Sequence, residues 1–244
     1  MPADIHKLID CLSSMKKQYI SSPTGSVRGS SFIYHLHEYC VDELAAAISE
    51  DYPIQIISIN EMKTRPKGVP HTPKVPIEPH KLQLMVEATL FGSHKNKDTD
   101  IILSHYANGP QIIIGIRSQM SSVANNIENY YEGIIGECIS LHDRFPMATI
   151  GYVYLLPKHP IKDGLTNEIV DLDKAERLFQ KITARPDWHS PHDKYEHFAF
   201  LKVDFEQDPP ELIETCNLLK IDTFFDKLLD THNDRNIFNQ IPKK

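Results

Sequence analysis

The stretch TDIILSHYANGPQIIIGIRSQMSS, residues 99–122, constrains the fold more than any other part of the chain. Two apolar runs flank the turn residues ANGP, a pattern typical of adjacent strands joined by a tight turn. The second run is nearly continuous isoleucine, which predicts a central strand covered on both faces. An aspartate opens the first run and Arg-Ser-Gln closes the second. We therefore expect Asp100, Arg117 and Gln119 to lie at matching ends of neighbouring strands.

Hydrophobic periodicity extends this hairpin into an α/β succession. Apolar residues that recur every three or four positions predict amphipathic helices, and alternating or continuous apolar runs predict strands. In chain order the predicted elements are helix 30–50, strands 81–91, 99–106 and 111–119, helix 122–144 and strand 147–156. Flanking segments predict a helix at 4–20, a strand in YPIQIISIN, a helix in DLDKAERLFQKITAR, a strand in YEHFAFLKVDF, a helix starting at DPPEL and a short helix around 223–229. We interpret residues 1–244 as one α/β domain.

Composition excludes several classes of protein. A chain of 244 residues that is 41% hydrophobic and 24% charged can bury a sizeable core. It has no apolar run of membrane-spanning length, and its N-terminus lacks a signal-peptide pattern, so we expect a soluble, cytoplasmic protein without membrane contact. The four cysteines are widely spaced, which argues against a zinc or disulfide framework. Cys138 and His142 lie four apart on one predicted helix, and core packing explains them better than a nucleophile pair does.

The predicted order of elements over residues 30–156, αβββαβ, resembles the core of the PD-(D/E)XK nuclease superfamily, which includes most type II restriction endonucleases. The resemblance covers about half the chain and leaves residues 157–244 as a C-terminal extension. Thr99-Asp100 stands where that superfamily has Pro-Asp. The resemblance implies a mixed sheet flanked by helices, a Mg²⁺ cofactor and hydrolysis of DNA phosphodiester bonds.

The resemblance also implies where the catalytic groups lie. In this superfamily an acid at the start of the second core strand, and an acid and a lysine two apart on the third, surround a magnesium ion. Residues two apart on a strand project to one side, so both can face one ion. Asp100 matches the first acid. The third strand departs from the pattern, because Gly115, Arg117 and Gln119 supply no carboxylate.

Two sources of a second carboxylate remain open. Some members of the superfamily take it from the helix after the third strand. Helical angles place Glu137 and Glu128 at opposite borders of the apolar face there and Glu132 away from it, and of these we prefer Glu137. The other candidate is Glu87, which an antiparallel partner strand would bring near Asp100. In this interpretation Asp100, with Glu137 or Glu87, holds the metal. Arg117 and Gln119 position the phosphate or the attacking water. The alternative is an inactive relative that binds nucleic acid or a protein partner.

Contacts with nucleic acid are predicted at three places. The net charge of −7 does not exclude them, because phosphate affinity depends on the local placement of cations. The DNA backbone would be held by a proline-rich basic loop, through Lys63, Arg65, Lys67 and Lys74. It would also be held at the start of the helix predicted at 122–144, through Ser121, Ser122 and Asn125. Either serine could cap that helix. Residues 161–197 would contact the bases. Cleavage of both strands would require a homodimer with twofold symmetry.

Overall fold

The structure, a computed structural model, describes residues 2–21, 30–63, 69–160 and 170–244. Within them lie five α-helices and seven β-strands. The helices are α1 (Ile5–Ser21), α2 (Ser30–Ala47), α3 (Val123–Arg144), α4 (Leu172–Lys181) and α5 (Phe224–Arg235). The strands are β1 (Ile54–Ile57), β2 (Leu82–Phe91), β3 (Asn96–His105), β4 (Gly109–Ser118), β5 (Thr149–Pro157), β6 (His197–Asp204) and β7 (Glu211–Ile213). In these segments no helix combines the length and apolar character needed to cross a membrane.

All seven strands form one mixed sheet, and their spatial order is their chain order, β1 to β7. Strands β1 and β2 are parallel, as are β4, β5 and β6. Strand β3 runs antiparallel to both of its neighbours, and β7 runs antiparallel to β6. The predicted α/β class with a mixed sheet is thus confirmed.

Two hydrophobic layers cover the sheet, one on each face. Helices α1, α2 and α5 pack on one face, where Ile112 and Ile114 of β4 join their core. Helices α3 and α4 pack on the other face, which receives Ile113. Since successive side chains of a strand point to opposite faces, the isoleucine run of β4 supplies both cores. The prediction of a central strand buried on both sides is confirmed.

Three local predictions are wrong. DPPEL does not start a helix: Glu211–Ile213 is an edge strand paired with β6. Pairing with a neighbouring strand supplies backbone hydrogen bonds that the local sequence does not reveal. The last helix extends to Arg235 and is longer than expected. The third concerns the predicted serine cap of α3. Ser122 immediately precedes the helix, but its backbone is left-handed, with φ of 52°, and its side chain makes no capping hydrogen bond.

Candidate active site

Strands β3 and β4 part next to Asp100. Their backbone pairing runs from His105–Gly109 to Ile101–Ile114. One residue further along β3, the carboxylate of Asp100 accepts a hydrogen bond of 2.6 Å from the amide N–H of Ile116. A side chain therefore replaces the backbone carbonyl that would otherwise pair there, and the carboxylate is held between two strands.

Glu87 lies across from Asp100 on the neighbouring strand. The paired residues on either side are Val86–Ile101 and Ala88–Thr99, so the register brings Glu87 opposite Asp100. Glu87 has a φ of 54°, in the left-handed region. For a residue other than glycine such a conformation costs about 1–3 kcal/mol, and strain of this kind is concentrated at functional sites.

Of the three glutamates considered on α3, Glu137 is the one whose charge acts on the carboxyl group of Asp100. Glu128 is exposed and forms an ion pair of 2.7 Å with Lys174, and Glu132 is also exposed. Glu137 is partly buried. Burial raises its pKa, and the cations of Lys97, Arg117 and Lys95 oppose this effect.

Three carboxyl groups thus share one poorly solvated region. Burial raises the pKa of Asp100 to about 7, and the N–H of Ile116 opposes the shift. The charges of Glu137 and Glu87 raise this pKa further, whereas Arg117 lowers it. Burial also raises the pKa of Glu87, to which Tyr34 supplies a stabilising hydrogen bond. Carboxylates that lie close together and are shielded from water repel one another, and a bound cation would reduce this repulsion.

Arg117 and Gln119 have different surroundings. The guanidinium carbon of Arg117 lies 4.8 Å from the centroid of the Tyr130 ring, within cation–π distance. Gln119 is buried, accepts a hydrogen bond of 2.8 Å from the hydroxyl of Tyr154 and donates one of 3.3 Å to the carbonyl of Ser122. Its carboxamide therefore ties β4 to β5 and to the start of α3.

An aromatic ring of β5 occupies the space beside Gly115 of β4. Gly115 is in register with Tyr152 of β5. A Cβ atom added at Gly115 would lie 2.5 Å from Cε2 of Tyr152. No side chain fits at residue 115 unless the ring moves, so glycine here is required by the packing of β5.

The predicted DNA-contacting residues are only partly described. Lys63 and Lys74 are exposed beside the bridge between Met62 and Pro73, and Lys74 Nζ donates to the carbonyl of Asn60. Ser121 is partly buried, and Ser122 is exposed. Arg65, Lys67 and the side chain of Asn125 lie outside what the structure describes.

The segment predicted to contact bases is held by a buried charge network. Residues 161–169 lie outside the described part. Arg185 forms an ion pair of 2.9 Å with Glu196, and both side chains are fully buried. Arg235 lies 2.8 Å from the same carboxylate. Arg185 also donates to the carbonyl of Trp188, which fastens the loop before β6.

Cys138 and His142 are buried, as a role in core packing requires.

Sequence reasoning missed His37 of α2. Its side chain is 2% exposed, and its Nε2 lies 3.6 Å from Oδ1 of Asp100. Neither ring nitrogen has a hydrogen-bond partner among the described residues. Burial lowers the pKa of His37 to about 4, so the imidazole is neutral at pH 7. The sequence pattern that could have identified His37 is its spacing from Ile33 and Cys40, which puts a histidine within the apolar stripe of α2.

The donors around Asp100 fit a magnesium ion that keeps much of its water. Carboxylate oxygens are its preferred protein ligands, and one or two of them usually suffice. Asp100, Glu87 and Glu137 do not converge within a single coordination sphere: in the described segments, the one trio of donor atoms within 4.8 Å of each other is His159, Asp204 and Glu206.

That trio has a simpler explanation than a metal. Lys158 Nζ lies 2.8 Å from Asp204 and neutralises it. Glu206 and His159 are exposed to solvent. Ion-paired surface groups of this kind are common without a metal.

Comparison with known proteins finds no matching family model, curated protein or solved structure. The geometry around Asp100 is therefore the basis on which a function can be proposed.

Proposed function

We propose that the chain is a Mg²⁺-dependent endonuclease that hydrolyses DNA phosphodiester bonds and is built on a restriction-endonuclease-like core. The proposed core comprises α2, β2, β3, β4, α3 and β5, which follow the αβββαβ order when the short strand β1, between α2 and β2 in the chain, is counted as an addition to that core. Its four strands are neighbours in the sheet, with β3 antiparallel to both strands beside it. The observation that carries the proposal is the acidic cluster around Asp100, held where β3 and β4 part.

Each charged group has a role in this proposal. Asp100, fixed by the N–H of Ile116, holds the cation, and Glu87 or Glu137 completes the coordination through water. When bound, magnesium polarises a phosphoryl oxygen and lowers the pKa of a coordinated water. Glu137 is also suited to accept a proton, because burial makes it a stronger base than an exposed glutamate.

Arg117 supplies the positive charge that faces the phosphate. Its planar guanidinium can donate two parallel hydrogen bonds to phosphate oxygens and is always protonated. Stacking on Tyr130 restrains its orientation. Gln119 acts indirectly in this scheme, because its amide holds the end of β4 against Tyr154.

The DNA backbone would contact cations near the start of β3 and in the loop after β1. Lys95 and Lys97 lie within electrostatic reach of Glu137, and Lys63 and Lys74 are exposed on the loop after β1. These cations would give sequence-independent, salt-sensitive affinity. Cleavage of both strands would use a homodimer with two sites related by twofold symmetry, as in a type II restriction endonuclease.

Incubation with supercoiled plasmid in Mg²⁺ or Mn²⁺ tests the proposal. We expect the wild type to nick or linearise the plasmid and Asp100→Asn to leave it intact. Asp98→Asn is the matched control: it is the same substitution on an exposed residue of the same strand, and we expect it to cut normally. Equal cleavage by Asp100→Asn and wild type, or no cleavage by either, would contradict the proposed enzyme.

A second candidate is an inactive relative that binds nucleic acid. The ring of Tyr152 in the space beside Gly115 favours it. In that case DNA is retained on the protein, retention weakens steeply with salt, and no product forms. A protein that neither retains nor cleaves DNA would rule out both candidates.

A further inference from the structure

A cavity of about 340 Å³ opens between α2 and the strands β1 and β2. Its wall includes Tyr34, His37, Glu38, Asp42, Ile56 and Val86. Glu38 and Asp42 are exposed, whereas His37 is buried. The cavity therefore has an acidic rim and has His37, the neighbour of Asp100, in its wall. Carboxylates at the mouth of a cleft raise the local concentration of cations and disfavour anions.

His37 lacks the partner that a buried imidazole needs. Each of its ring nitrogens is shielded from solvent and without a hydrogen bond in the described segments. Leaving such a group unsatisfied destabilises the folded protein, and a bound water or ion commonly supplies the missing partner. The neighbouring carboxylate is already engaged, because Asp100 Oδ2 accepts from Ile116.

The separation of the two side chains suits a shared cation. Nε2 of His37 and Oδ1 of Asp100 are 3.6 Å apart, which is too long for a hydrogen bond. Two donors bound to one divalent cation at about 2.1 Å lie ~3.0–3.5 Å apart, depending on the coordination geometry. A shift of a few tenths of an ångström would bring both donors onto one ion.

We propose that His37 Nε2 and Asp100 Oδ1 are direct ligands of one divalent transition-metal cation of the Mn²⁺ class, which enters through the acidic-rimmed cavity. The inference rests on the proposed placement of a cation at Asp100, and it adds a nitrogen ligand. Magnesium takes oxygen donors, whereas imidazole nitrogen is a ligand of first-row transition metals. Manganese is the member of that series that also takes carboxylate oxygen, the donor that Asp100 offers. The same site should therefore bind Mn²⁺ in preference to Mg²⁺, with Glu87 and Glu137 interacting through bound water.

Titration of Mn²⁺ followed by its electron paramagnetic resonance signal measures binding without any turnover. All variants are made in a parent protein that carries His159→Gln, because this substitution removes one donor of the His159, Asp204 and Glu206 trio, a competing site for the metal. We expect His37→Gln to raise the Kd for Mn²⁺ about tenfold or more, since loss of a group that shapes a metal site costs 10- to 100-fold. His35→Gln, the same substitution two residues earlier on α2, should leave the Kd unchanged.

The variants separate this inference from the proposed function. Binding that is lost in Asp100→Asn but unchanged in His37→Gln overturns the histidine ligand and leaves the proposed cation in place. Binding unchanged in both variants overturns both proposals. Loss in both variants supports both.

A spectroscopic test on the His159→Gln protein alone guards against misfolding of His37→Gln. Electron spin echo envelope modulation of bound Mn²⁺ should show coupling between the electron spin of the metal and the ¹⁴N nucleus of a directly coordinated imidazole. Absence of that coupling in a protein that binds Mn²⁺ would show that the cation has only oxygen ligands, and it would end the inference.

Discussion

Asp100→Asn should stabilise the metal-free protein at alkaline pH, because the carboxylate is poorly solvated. Its pKa is about 7 in the folded protein, compared with about 3.9 in an unfolded chain. Between these values the folded state holds a proton that the unfolded state has released. The stability that this proton provides is fully present below about pH 4 and is lost as the pH rises to 7.

The size of the effect follows from the same pKa difference. It corresponds to about 4 kcal/mol of unfolding free energy. The side chain of Asp100 is 31% exposed, so we reduce the expected effect by about half, to ~2 kcal/mol. Asparagine carries no charge, and its carbonyl can still accept from Ile116. For a chain of this length ~2 kcal/mol raises Tm by about 4–8 °C.

Urea denaturation in EDTA at pH 5 and pH 8 measures this difference. We expect Asp100→Asn to exceed the wild type in unfolding free energy at pH 8, and the difference to shrink toward pH 5. Asp98→Asn, an exposed site on the same strand, should follow the wild type at both pH values. If Asp100→Asn were no more stable than the wild type at pH 8, the carboxylate would not be the desolvated charge described above.

Three further substitutions test other parts of the account. Gly115→Ala should lower the unfolding free energy by about 1–3 kcal/mol in urea, because its Cβ meets the ring of Tyr152, and an unchanged value would show that the ring yields freely. Glu196→Gln leaves two buried arginines without their anion and should cost about 3–5 kcal/mol by thermal unfolding; a loss below about 1 kcal/mol would contradict the buried pairing. Arg117→Lys should slow single-turnover DNA cleavage at least about tenfold, because lysine cannot present the planar fork held by Tyr130, and a wild-type rate would exclude that role.

Elements with long, regular periodicity were predictable because their hydrophobic pattern is local. The helix predicted at 122–144 spans Val123–Arg144, and the strand predicted at 111–119 spans Gly109–Ser118. The wrong prediction at DPPEL concerns a three-residue edge strand, which depends on hydrogen bonds to β6. No pattern within three residues carries that information.

The candidate site was predictable where it follows from strand register and helix angle. Antiparallel pairing brings Glu87 opposite Asp100, and the helical period of α3 disfavours Glu132, whereas the ion pair of Glu128 with Lys174 is seen only in the structure. The positive φ of Glu87, the ring that occupies the space at Gly115 and the proximity of Asp100 to His37 arise only in the tertiary structure. Each depends on residues that are distant in the chain.

Single-turnover cleavage of an end-labelled DNA duplex by two variants of α3 is the most direct test of the central proposal, that the acidic cluster around Asp100 is catalytic, with Glu137 as its proton acceptor. Glu137→Gln and Glu132→Gln make the same change five residues apart on one helix, and Glu132 is exposed. We predict that Glu132→Gln cleaves within about twofold of the wild type and that Glu137→Gln is slower by at least about 100-fold, the typical contribution of a positioned acid or base. Equal cleavage rates for the two variants would contradict the proposal.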